Sequence, residues 1–259
     1  MTAERYISRQ MRGVEGWLHP LTAQVIAALG EHQTVIGVSG AVGEIGVHHG
    51  KLWLVLDHVA TPNEARFAID VFESQEINAD SSGLGDLKIF QENRKRFGRT
   101  EPVEIITSSS LDVTPDDLLA RVGPVRLFSV DGGHTAECTL NDLRLADSVL
   151  CDNGIVALDD VFNEHWPGVM TGFAQYMLGS GRLVPICITP GKVILARSGS
   201  FGDFIAKNFM AEIFKTHDFF GREVPVLTRH AAFAHRVKSW VSGTPIEAVA
   251  RKVYQNFVR

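Results

Sequence analysis

Gly43-Glu44-Ile45-Gly46-Val47-His48-His49-Gly50 joins a short apolar run to a helical stretch beginning near Lys51, and the rest of the chain is read from it. An acid, two glycines and a following apolar run describe a strand turning sharply into a helix over a ligand. Glycine belongs where a side chain would hold the backbone away from that ligand, and the helix beginning near Lys51 directs its positive dipole end at the same place. The stretch lacks the full G-x-G-x-x-G spacing, so by itself it fits a tight turn in an open α/β fold as well as a cofactor loop.

The chain around it is ordinary globular material: 259 residues, 45% hydrophobic and 21% charged, enough for one main core with embellishments. A formal charge of -5 argues against a nucleic-acid groove or an anionic membrane surface, since both need clustered Lys and Arg. Cys138, Cys151 and Cys187 are scattered and form no C-x-x-C pair, which speaks against a disulfide framework or a zinc site and for a reducing compartment. Met1 to Met11 has no apolar signal core, and no later run reaches the ~18 apolar residues of a membrane span. A cytoplasmic protein with no membrane partner is expected.

Short Val- and Ile-rich runs alternate with segments of helical period, the pattern of a parallel sheet covered on both faces. The runs are Ala41 to Ile45, Phe67 to Val71, Val103 to Thr107, Arg126 to Val130 and Ile155 to Leu158. Helices are expected at Leu52 to Ala60, Leu87 to Phe97, Pro115 to Arg121, Thr135 to Leu150 and Pro167 to Leu178. Two last runs, Leu183 to Ile188 and Val193 to Ala196, flank Thr189-Pro190-Gly191-Lys192, which reads as a hairpin closing the sheet with an antiparallel strand. Residues 1–33 read as an N-terminal helical cap, helical from Leu21 to Leu29, and residues 34–198 as the core. Residues 199–259 read as a C-terminal helical extension, with Phe201, Ile205, Phe209 and Ile213 as an apolar stripe that packs on the core or on a second subunit.

Three further features carry chemistry. Asp70 ends the second run about 25 residues beyond the glycine loop, close to the ~20 at which a nucleotide-binding βαβ unit places the acid that holds a ribose. Phe128-Ser129-Val130-Asp131-Gly132-Gly133-His134 closes one predicted strand, and Val156-Ala157-Leu158-Asp159-Asp160-Val161 closes the next. Adjacent strand tips lie ~5 Å apart, so Asp131, Asp159 and Asp160 would repel one another unless a positive group stood between them. A hard divalent cation such as Mg²⁺ suits carboxylates; the alternative is Asp159 as a helix cap and Asp160 in solvent. Trp166, just past the acidic pair, is either a wall of the acceptor pocket or a packing residue.

Taken in order, these blocks resemble the class I S-adenosylmethionine-dependent methyltransferases, within the group that includes macrocin-type sugar O-methyltransferases and cephalosporin-hydroxylase-like proteins. Glu44-Ile45-Gly46-Val47-His48-His49-Gly50 is similar to the motif E-x-G-x-x-x-G. Asp131-Gly132-Gly133-His134 and Asp152-Asn153-Gly154-Ile155 with Asp159-Asp160 are similar to D-G-x-H and G-G-x-x-x-x-D-D, with Asn153 where glycine is usual.

The resemblance covers roughly Gly40 to Arg197. It implies a Rossmann-like, doubly wound, mostly parallel seven-stranded sheet with an antiparallel last strand and added terminal helices. It also implies that Glu44, Gly46 and Gly50 surround the methionine part of the cofactor, that Asp70 holds the ribose, and that Ser110 and Leu111 lie near the adenine. Asp131 would touch the cofactor, share the catalytic role with His134 and, with Asp159 and Asp160, hold Mg²⁺. His134 takes the place of a catalytic lysine in similar catechol-type enzymes, and a histidine with a pKa near 6.5 suits a general base; the other reading of His134 is a turn or cap residue, while His48 and His49 are loop residues.

The implied reaction is Mg²⁺-assisted O-methylation of a small molecule or sugar unit, the metal favouring vicinal diols. A homo-oligomer through the terminal helices is a further expectation. Two other classes stay open: a non-catalytic cofactor-binding partner of a carbohydrate-modifying enzyme, and an NAD-dependent oxidoreductase, for which the glycine spacing is wrong.

Overall fold

The computed structural model describes residues 1–197 and 201–228. One sheet of nine strands organises them: β1 (Ala41–Ile45), β2 (Arg66–Asp70), β3 (Glu104–Thr107), β4 (Val125–Val130), β5 (Leu150–Asp159), β6 (Val184–Ile188), β7 (Lys192–Ala196), β8 (Ile213–Asp218) and β9 (Glu223–Leu227), in the spatial order β3-β2-β1-β4-β5-β7-β6-β9-β8. The first five strands pair in parallel, and β7 runs antiparallel between β5 and β6, as the hairpin at Thr189 to Lys192 predicts.

The strands read as continuous apolar runs because both faces are covered. Their alternation shows which layer each residue serves. Val42, Ala68, Leu127 and Ala157 join one core with α1 (Ala3–Arg9), α2 (Pro20–Val35) and α3 (Trp53–Val59), together with Phe90 and Phe97 of α4 (Leu87–Phe97). Ile45, Phe67, Phe128 and Leu158 face a second core with Leu118 of α5 (Pro115–Val122), α6 (Ala136–Val149) and α7 (Pro167–Leu178). Period two in the strands thus builds the two layers of an α/β sandwich.

Local chemistry sets the helix ends. The Asp86 side chain accepts the Ile89 N–H at the start of α4, Thr135 caps α6 through the Cys138 N–H, and Pro115 and Pro167 stand in the first turns of α5 and α7. Arg126 is wholly buried and ties the layers together. Its guanidinium donates to both Glu64 oxygens and to the carbonyls of Gly30 and Val59.

The C-terminal part departs from the sequence expectation. Phe201 and Ile205 lie buried on α8 (Phe201–Asn208), but Ile213 begins β8, so the apolar stripe is split between a helix and a strand. The sheet therefore has nine strands among the described residues where seven were expected, and residues 199, 200 and 229–259 of the expected extension, with residue 198 of the expected core, lie outside the described residues. No helix among the described residues is long and apolar enough to cross a membrane.

The strand order reverses between β1 and β4. At such a switch point the flanking loops part and leave a crevice beyond the carboxyl ends of the strands. Ile45 is level with Val130, and Val130 with Leu158. Gly46, Asp131 and Asp159 consequently emerge side by side.

Candidate active site

A cavity of about 540 Å³ opens over these strand ends. Gly46, Asp70, Ser110, Asp131, His134, Asp159 and Asp160 all border it, as does Trp166, and the segment Trp17 to His19 ahead of α2 reaches its rim.

Gly46 is where the glycine loop turns. Its φ is +78°, its N–H donates to the Ile69 carbonyl at 2.9 Å, and a Cβ there would stand 1.7 Å from the Asp131 carbonyl oxygen. Only glycine admits that approach. Asp70 locks the loop from the neighbouring strand: its Oδ2 accepts the His48 N–H and its Oδ1 the Phe72 N–H, each at 2.7 Å. Burial raises its carboxyl above the usual range against the pull of those amides.

Three expected cofactor residues lie outside the cavity lining. Glu44 points beneath the floor, where it accepts the Ser129 hydroxyl at 3.0 Å, and burial pushes its carboxyl well up. Gly50 has a φ of +87° and lies against the Phe90 ring, so it serves the packing of α4 on the loop. Leu111 is 42% exposed on the turn after β3, one residue past Ser110. Short motifs give the right loops, but the pleat decides which of their side chains face the hollow.

The three carboxylates do converge, yet they meet two cations already built into the chain. Lys192 Nζ lies 2.5 Å from Asp159 Oδ2 and 3.2 Å from Asp131 Oδ2, and Lys192 is 2% exposed. Burial alone would lower the ammonium's pKa; Asp131, Asp159 and Glu44 outweigh it and hold Lys192 above its ordinary value. Two carboxylates around one ammonium leave negative charge in excess. That excess falls on Asp159, the more enclosed of the two, which burial and Asp131 push well up despite Lys192.

Asp160 belongs to a second cluster. His134 Nε2 is 3.3 Å from Asp160 Oδ2, while Nδ1 is 2.8 Å from Asp80 Oδ2. The Trp166 ring stacks on His134 with centroids 4.2 Å apart, and Asn163 Nδ2 donates to Asp160 Oδ1. Burial would lower the imidazole; the bonds to Asp160 and Asp80 overcome it and raise its pKa to about 9. The same contact helps hold Asp160 below the ordinary carboxylate range, against the opposing effect of burial.

This donor set does not fit the expected Mg²⁺. Mg²⁺ demands near-octahedral oxygen ligands at about 2.0–2.1 Å, and the gap between Asp131 and Asp159 contains the Lys192 ammonium. The ligand atoms of Asp131, His134 and Asp160 do lie within 4.8 Å of one another, but a metal would have to displace the proton from His134. Lys192 and Asp80 are the site residues that sequence reasoning missed. Lys192 reads as a turn residue, and Asp80 lies in the polar loop Asn78 to Ser82, which carries no period.

A nucleoside cofactor fits better, on the close approach of Gly46 to the Asp131 backbone and on Asp70 at the adjoining strand tip. A family model described as a methyltransferase domain matches residues 44–161. No curated protein matches the chain by sequence.

Among solved structures, the fold is similar to that of the O-methyltransferase NovP, at 16% identity over 68% of this chain and 80% of that one, with a TM-score of 0.54. It is similar to an O-methyltransferase from Streptomyces achromogenes involved in tomaymycin synthesis, in complex with S-adenosylmethionine (17% identity, 70% and 80% covered, TM-score 0.52). It is also similar to an apo TDP-rhamnose 3'-O-methyltransferase of calicheamicin biosynthesis (19%, 74% and 86%, TM-score 0.50). At such identities the likeness is one of fold.

Proposed function

We propose that this chain, whose residues 44–161 match a family model described as a methyltransferase domain, is an S-adenosylmethionine-dependent methyltransferase that methylates a hydroxyl oxygen of a small molecule or sugar unit in the cavity beyond β1, β4 and β5. The observation that carries the reading is that the glycine loop at Gly46, the acid Asp70 and the His134 imidazole border one hollow. S-adenosylmethionine, when bound, would supply an activated methyl carbon for the hydroxyl oxygen, its sulfur keeping the carbon–sulfur electron pair.

The chain's own residues align and deprotonate. The backbone at Gly46 and Asp131 receives the methionine part, the free lone pairs of Asp70 accept the ribose hydroxyls, and Ser110 borders the adenine. Holding two reactants in line contributes about 7–11 kcal/mol in favourable cases. His134 takes the hydroxyl proton on Nε2, its Nδ1 being held by Asp80. With a pKa near 9 the ring is mostly protonated at neutral pH, so the neutral fraction is the working base. Trp166, stacked on that ring, fixes its plane and walls the acceptor side. Mg²⁺ has no part in this reading. Three free cysteines, two of them buried, suit a reducing compartment.

The test is formation of S-adenosylhomocysteine and of a methylated product by the purified protein with a panel of sugars and phenols. Binding of S-adenosylmethionine without turnover on any hydroxylated acceptor would replace this reading with that of a non-catalytic cofactor-binding partner.

A further inference from the structure

We propose that Lys192 is the resident cation of this active site, standing between Asp131 and Asp159 where a divalent ion was expected, and that methyl transfer is therefore independent of metal. The inference rests on the methyltransferase reading.

Lys192 is built into the sheet. It opens β7, and its backbone is level with Asp159 of β5, so the two side chains start from paired positions. The turn before it is closed by Lys192 N–H to the Thr189 carbonyl and Thr189 N–H to the Lys192 carbonyl, and Thr22 of α2 anchors it by donating to the Pro190 carbonyl. An ammonium delivered from a central strand is fixed in place by the backbone, whereas a lysine on a loop would be free to swing out. Two of its three N–H donors are taken by Asp131 and Asp159, and the residue borders the cavity.

Charge and geometry separate the two occupants. A divalent ion would draw Asp131 and Asp159 to about 2.1 Å and present open positions that clamp two oxygens of an acceptor. A lysine offers single N–H donors and no chelation. The acceptor then needs only one hydroxyl, and a vicinal diol or catechol gains no special advantage.

Mn²⁺ binding by electron paramagnetic resonance, in the presence of S-adenosylhomocysteine, tests this without turnover. The wild-type protein should show no saturable Mn²⁺ site, whereas Lys192→Met, with its carboxylates uncovered, should bind Mn²⁺ at least about tenfold more tightly. Where turnover is measurable, the wild-type rate should be unchanged in excess EDTA. Stoichiometric Mn²⁺ binding by the wild type that is abolished by Asp160→Asn would overturn the proposal, as would a folded Lys192→Met protein that gains no Mn²⁺. The wild-type measurement decides alone if that variant does not fold. Absence of turnover under every condition would strike the O-methylation reading and leave the Mn²⁺ result standing.

Discussion

Asp159 and Lys192 are joined twice: they are backbone partners across β5 and β7, and their side chains meet at 2.5 Å inside the protein. A buried ammonium between carboxylates is tolerable only while all its partners are present. Lys192→Met should cost about 3–5 kcal/mol in a denaturant titration, as expected for breaking a buried pair, and Asp159→Asn added to it should restore part of the loss. Additive single-variant costs would mean that the pair is not coupled.

His134 dictates the pH dependence. Its pKa is raised to about 9, and the base form is the neutral ring. The rate, read as kcat/KM, should rise about tenfold per pH unit below that value and level off above it. Asp80→Asn removes one of the charges holding the proton, so the inflection should move to lower pH. Folding responds with the opposite sign. A raised folded-state pKa contributes stability that is complete below about 6.5 and fades as pH climbs through about 9. A rate already flat from pH 7 would remove His134 from the base role.

Gly46 leaves no room for a side chain. Gly46→Ala combines a positive φ with a Cβ placed against the Asp131 carbonyl, and the loop must open to relieve it. A loss on the order of 3 kcal/mol is expected. The rise in melting temperature on adding S-adenosylhomocysteine should vanish in any fraction that still folds. An unchanged rise would show that this loop does not hold the cofactor.

Glu64 is the partner of the buried Arg126. Burial alone would raise its carboxyl, but the hydrogen bonds from Arg126 overcome that and hold it below the ordinary range. A depressed folded-state pKa gives stability that is complete above the unfolded value and is lost as pH falls. Glu64→Gln should therefore cost about 3 kcal/mol at neutral pH, and the gap to wild type should narrow below about pH 4.5. A gap that stays constant into acid would mean the charge of Glu64 contributes nothing.

The chain's own order of residues determined the sandwich. Apolar runs with glycine or acid at their ends, Asp86 as a helix cap and Pro167 in a first turn are local signals, and local sterics and hydrogen bonding decide them. The helices Leu87–Phe97 and Pro167–Leu178 accordingly begin and end where the sequence says. The acids at the strand tips were legible too, because a parallel sheet delivers every such tip to one rim. What met those acids was not. Lys192 stands 33 residues from Asp159 and 61 from Asp131, and Asp80 54 from His134, with no period linking either pair. Only the pairing of β7 with β5 brought Lys192 to Asp131 and Asp159, and only the return of the loop at Asp80 brought a second carboxylate to His134. The strands β8 and β9 were hidden for a related reason: a weakly apolar segment becomes a strand when a sheet edge offers its backbone hydrogen bonds, and that edge exists only once the rest has folded.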